Sequence, residues 1–386
     1  MNKEYRNILG EMGMTDAQIK TWIDNTFNTM FHGAEDVRIY HEAGADMGYM
    51  VDTGNIDART EGMSYGMMMC VQLDKKEEFD RIWKWSYTYM YTHEGEHGGY
   101  FAWSCALDGR HNADGPAPDG EEFFAMALFF ASHRWGDGEG IFNYSKMARQ
   151  ILHDCLHRGG EGEHIGRTMW DLDNKLIRFV PGVDFSDPSY HLMHFYDLFA
   201  LWADECDRQF WADAAKASRK YLHTACHPKT GLCSDYAHFD GSPVAGVPWG
   251  RGKRRIDRFY SDSYRTAANI GLDWSWNGVD SWQCENNAKL QKFFKDNEEQ
   301  GLKYAPRIDG EFTEEEVMHP TGLIATNAAA SLASWTADAD EETVNNAKYW
   351  VKKFMETPLR EGKRRYYDNC LYLFALLALS GNYRIY

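Results

Sequence analysis

Several short stretches set an ionisable side chain where an apolar run begins. They are Glu61 in "RTEGMSYGMMM", Asp119 in "PAPDGEEFF", Asp187 with Tyr190 in "FSDPSYH", Asp262 in "FYSDSYR", His319 in "MHPTGL" and Asp368 in "RRYYDNC". A single acid there is ordinary, because the positive end of a helix dipole favours it. A ring of such acids at one mouth repels itself, so their gathering needs a use. Two or three carboxylates facing a cleft walled by Trp and Tyr suit glycosidic bond hydrolysis. One must be protonated to assist the leaving oxygen, and another ionised to activate water.

Two other stretches carry weaker chemistry. "HEGEH", His93 to His97, matches the H-E-x-x-H zinc pattern, but that pattern needs a helix and Gly98–Gly99 follow at once. "RGGEGEHIG", Arg158 to Gly166, lacks the lysine and hydroxyl of a phosphate-binding loop and reads as surface. No metal cluster or nucleotide motif is legible, so no metal and no cofactor are expected.

The elements that must position these acids are helical. Helical periodicity dominates, and alternating Val/Ile/Thr stretches are scarce. About twelve helices are expected, opening near Thr15, Thr60, Asp74, Asp119, Asn143, Ser186, Asp207, Ser261, Ser281, His319, Asp340 and Tyr366. Those opening near 60, 119, 187, 262, 319 and 366 are apolar nearly all round; the others are amphipathic. The first kind must be buried and the second must lie on a surface. Six inner and six outer helices in alternation describe an all-α fold, an (α/α)6 barrel, with residues 1–386 forming one catalytic domain. With the inner helices parallel, the acids share one end.

Composition narrows the partners. The formal net charge is -17, from 58 acidic and 41 basic residues, which speaks against nucleic acid or an anionic membrane as ligand. The basic cluster "RGKRR", Arg251 to Arg255, reads as a solvated loop. Trp and Tyr are abundant, at 14 and 22, as sugar stacking requires. No window approaches the roughly 18 apolar residues of a membrane span. The opening residues lack an apolar signal region, and eight scattered cysteines read as reduced thiols, so a cytoplasmic location is expected.

"TEGMSYGMMM", "PAPDGEEFFAMALFFASHRW", "FSDPSYH" and "FYSDSYRTAANIGLDWSW" resemble the motif blocks of glycoside hydrolase family 8, across essentially the whole chain. The resemblance implies an (α/α)6 barrel and inverting hydrolysis. "MHPTGLIATNA" and "RRYYDNCLYLFALLALSGN" are most similar to the branch that releases xylose from the reducing end of β-1,4-xylooligosaccharides. Carried over by motif, Glu61 is the general acid, Asp262 the general base, Asp119 the acid that holds the −1 sugar, and Tyr190 the hydrogen-bond partner of the attacking water. Arg265 orients the base or its water, Trp103 stacks on sugar, Tyr65 belongs to the substrate site, and His319 in the Met318-His319-Pro320 kink reads the reducing-end hydroxyl. Pro118 and Glu121 depart from the family signature, which has Ser or Thr and Asp there.

The expected substrate is a xylooligosaccharide, with no obligatory protein partner; the alternative is an endo-acting xylanase or glucanase of the same family. The helix dipole would keep Glu61 ionised, whereas a general acid needs a raised pKa. Burial and neighbouring acids are expected to outweigh the dipole.

Overall fold

The computed structural model describes residues 4–247 and 256–386; Arg251 to Arg255 lie outside them. Inner helices run Thr60–Gln72, Pro118–Trp135, Met193–Trp202, Tyr264–Asn277, Pro320–Ala329 and Arg365–Leu379. Each packs on the next and the last closes on the first, which makes a ring. Outer helices Asp16–His32, Lys76–Tyr89, Tyr144–Leu156, Arg208–Ala225, Trp282–Asp296 and Glu341–Glu356 alternate with them in sequence. This is the (α/α)6 barrel that the alternation predicts.

Burial follows the two helix types. Every residue from Pro118 to Ala131 is buried, so that inner helix has no solvent face before its last turn. Tyr144–Leu156 instead buries Ala148, Ile151, Leu152 and Cys155, a single stripe at helical spacing. One continuous apolar core runs from Ile8 to Tyr383, flanked by two smaller clusters. Among the described residues no helix is long and apolar enough to cross a membrane.

Some helix starts differ from the sequence expectation. Thr60 does not cap its helix: Arg59 occupies the cap position in extended geometry, and Thr60 is the first helical residue. Its N–H instead donates to the Trp103 carbonyl at 3.0 Å. The segment at Ser186 begins as a strand, Phe185–Ser186, then a tight turn, Pro188–Tyr190, and becomes α-helical only at Met193. Asp187 therefore caps that turn, accepting the Ser189 N–H at 2.7 Å. Likewise the helix after Ser261 starts at Tyr264. Thr15, Asn143 and Asp340 do cap their helices through side-chain oxygens.

Small antiparallel sheets decorate the mouth of the ring. Ala58–Arg59 pairs with Ser104–Cys105, which pairs with His111–Ala113. This sheet anchors the long loop after Tyr89 beside the entry to the Thr60–Gln72 helix. Phe185–Ser186 pairs with Ala237–His238 and does the same for the opposite wall.

Candidate active site

Gly120 lets the first two inner helices touch. A Cβ there would fall 2.5 Å from Thr60 Cβ, so only glycine permits the approach that sets Glu61 beside Asp119. Gly62 plays the same part for Tyr366, whose hydroxyl would lie 2.5 Å from a Cβ at 62. That hydroxyl instead donates to Glu61 Oε1 at 2.9 Å.

Arg265 is the hub. Its Nη1 donates to Glu61 Oε2, Asp119 Oδ2 and the Tyr65 hydroxyl, each at 3.0 Å. Its Nη2 reaches Asp187 Oδ2 at 3.4 Å and stands 3.7 Å from Asp262 Oδ1. Four carboxylates from four different inner-helix entries thus converge on one buried guanidinium. Its carbon also lies 5.5 Å from the Tyr190 ring centroid.

One guanidinium cannot compensate four acids, two of them buried and two half-buried. The Glu61 carboxyl is pushed up to about 7, chiefly by burial, with Asp119 and Asp262 adding to the rise and Arg265 opposing it. Burial raises Asp119 and carries Asp187 well above the carboxylate range, again against the pull of Arg265. Burial and acidic neighbours therefore outweigh the helix dipole at Glu61. Asp262 is the most open of the four acids, with 22% of its side chain accessible against none for Asp187.

Two hollows meet at this cluster. One, of ≈ 510 Å³, is walled by Trp103, Phe179, Tyr190, Tyr236 and His97. The other, of ≈ 570 Å³, is walled by Tyr260, Glu315, Met318, His319, Tyr366 and Tyr367. Arg59, Glu61, Trp103 and Asp262 line both, so the two candidate acid–base groups stand at the seam. Such a seam can receive a chain that runs through both hollows, with one carboxyl to protonate a bridging oxygen and another to draw a proton from water.

The structure brings Glu61, Asp119, Asp262, Arg265, Tyr190 and Trp103 together in the first hollow and puts His319 in the second. Tyr65 is placed differently: it lies behind Arg265, 2% exposed, and borders neither hollow. Its contact is with the arginine, not with the cleft. Glu121, one of the two signature departures, is buried and accepts the Phe101 N–H at 3.0 Å, tying the Trp103 loop to an inner helix.

Arg59, Tyr366, Tyr367 and Phe179 also line the site, though the sequence singled none of them out for a role. Arg59 and Tyr366 each stand two residues before a helix-entry acid, Glu61 and Asp368, and Tyr367 directly precedes Asp368; Phe179 carried no such signal. "HEGEH" forms no helix, and His97 alone of its histidines borders the first hollow. Away from the cleft, His153, His157 and Asp207 converge in space, a grouping that no sequence spacing announced.

A ring of inner helices with acids at one mouth, an acid held near neutrality and an aromatic cleft define a glycoside hydrolase. The chain belongs to Glycosyl hydrolases family 8, whose sequence profile matches residues 45–381. It is 55% identical to the reducing end xylose-releasing exo-oligoxylanase of Halalkalibacterium halodurans, over 100% of this chain and 95% of the relative. It is 47% identical to the enzyme of the same name from Bifidobacterium adolescentis, over 98% and 96%. Among solved structures, that of Rex8A from Paenibacillus barcinonensis complexed with xylose superposes with a TM-score of 0.93 at 54% identity, covering 99% of this chain and 98% of the other.

Proposed function

We propose that this chain hydrolyses β-1,4-xylooligosaccharides of three or more units by releasing xylose from the reducing end, with inversion. The observation that carries the reading is Glu61, raised to about 7 at the seam of two hollows that it shares with Asp262. Glu61 gives its proton to the glycosidic oxygen as the C–O bond breaks. Asp262 takes a proton from the water that attacks the anomeric carbon from the opposite face. Tyr190 orients that water, Asp119 holds the −1 sugar and Trp103 offers a stacking face. Arg265 keeps the acids in register, and Tyr65 supports Arg265 rather than touching sugar. In the second hollow His319 receives the reducing-end hydroxyl.

Residues 1–386 act as one catalytic domain in this reading, in keeping with the continuous core. A cytoplasmic location is part of the same proposal, supported by eight free cysteines; fractionation of the source cells tests it.

The deciding experiment is a product time course on xylotriose and on its end-reduced alcohol. Xylose and xylobiose from the first, with the second resistant, is the expected result. Equal cleavage of both, or internal cuts in polymeric xylan, would favour the endo-acting alternative.

A further inference from the structure

Away from the cleft, the outer layer gathers two histidines and two carboxylates. His153 and His157 sit four residues apart at the end of Tyr144–Leu156, on one face of the helix, with rings stacked 4.3 Å apart. His153 Nε2 lies 3.0 Å from Glu163 Oε2, and His157 Nε2 lies 2.8 Å from Asp207 Oδ1. One ligand atom from each of His153, His157 and Asp207 falls within 4.8 Å of the others. Asp207 is buried, whereas both imidazoles are half-buried. A hollow of ≈ 420 Å³ opens beside His153 and Glu163, bordered also by Lys146, Arg149 and Asp204.

We propose that His153, His157 and Asp207, with Glu163 as fourth ligand, bind one divalent ion of the Zn²⁺ class. Two imidazole nitrogens select a borderline transition metal over Ca²⁺ or Mg²⁺, which prefer oxygen throughout. Tetrahedral ligand bonds of about 2.0–2.2 Å hold donor atoms roughly 3.3–3.6 Å apart, so the two hydrogen-bonded pairs would open slightly while the wider spacings close. The half-buried imidazoles can make that adjustment by side-chain rotation, while buried Asp207 provides the fixed point. The four donors come from a helix end, the loop after it and the entry to the Arg208–Ala225 helix, so an ion would pin three separate segments.

The consequence reaches the substrate wall. Arg158, next to His157, donates through Nη1 to the Gly98 carbonyl, and its guanidinium lies 3.5 Å from the Tyr100 ring centroid. Gly98 directly follows His97, which borders the first hollow. A bound ion fixes the back of that wall without touching the acids, and the inference stands whatever the substrate is.

The test uses untagged protein stripped with chelator and titrated with ZnCl₂ in a calorimeter, alongside thermal melts. One equivalent should bind and raise the melting temperature. X-ray absorption of the loaded protein should show imidazole nitrogen and carboxylate oxygen around the metal. His153→Ala/His157→Ala should lose at least tenfold in affinity and the thermal gain. Asp207→Asn should lose part of both, and His164→Ala, in the same loop, should keep both. If the parent binds no stoichiometric Zn²⁺, or if the folded double variant binds it equally well, the cluster is only two hydrogen-bonded pairs and the proposal falls.

Discussion

His319 Nδ1 lies 2.8 Å from Asp368 Oδ2, and the other oxygen of that fully buried carboxylate accepts the Gly322 N–H at 2.7 Å. Arg360 Nη1 donates both to the same Asp368 oxygen and to the Met318 carbonyl. One carboxylate and one guanidinium thus fix the carbonyl before His319, its ring and the helix entry after it. In the tautomer that gives Nδ1–H to Asp368, Nε2 is left to accept a hydrogen bond.

Asp368→Asn should therefore damage reading of the reducing end more than chemistry itself. A lost hydrogen bond to a charged group is worth about 1.5–3 kcal/mol, roughly a ten- to hundredfold loss in kcat/KM on xylotriose. Preference for the free over the reduced trisaccharide should shrink together with it. Steady-state kinetics on the two substrates, with a melt to check folding, measures both; an unchanged preference would count against the positioning role.

Glu61 sets the alkaline limb of activity. A general acid works only while protonated, so kcat/KM should fall as pH rises through about 7. Asp119 helps to raise Glu61, so Asp119→Asn removes a negative charge and lets the Glu61 proton leave at lower pH. The limb of that variant should move toward acid, whatever its absolute rate. A pH series of kcat/KM reads the shift, and a move toward alkali would contradict the assignment.

Gly120→Ala tests the helix contact that pairs Glu61 with Asp119. The new methyl would fall 2.5 Å from Thr60 Cβ, within a fully buried seam. Overpacking of this kind costs about 1–3 kcal/mol. Turnover should fall too, since relief of the clash separates the two acids. Chemical denaturation and kcat on xylotriose check the two effects; a variant as stable and active as its parent would show that the contact is not needed.

The barrel was legible because inner helices have no polar face, a pattern that burial alone imposes. The entry acids were legible as charges placed against apolar runs. Arg265 is different: its position after "YSDSY" suggested contact with Asp262, but nothing in the chain reveals that it also meets acids 78, 146 and 204 residues away. Tyr65 was less legible, because a tyrosine one turn beyond Glu61 can face either the cleft or the arginine behind it. The small sheets escaped notice since strands of two to five residues leave almost no alternation to read. His153 and His157 share a helix face, but Asp207 joins them only through folding, 50 residues on.

Asp262→Asn separates binding from chemistry. The amide keeps the size and much of the polarity of the carboxylate yet cannot accept the proton of the attacking water. Removal of a general base costs a factor of about 10²–10⁴, so turnover should nearly vanish. Affinity for xylotriose should stay within a few-fold, because the side chain is the most open of the acids around Arg265 and supports no wall of either hollow alone. Calorimetry on the variant and single-turnover assays give the two readings. For the parent, proton NMR of fresh product should show the α-anomer first, as displacement by water from the opposite face of a β-linkage requires. Unimpaired turnover in Asp262→Asn would remove it as the base, and an initial β-anomer would rule out inversion.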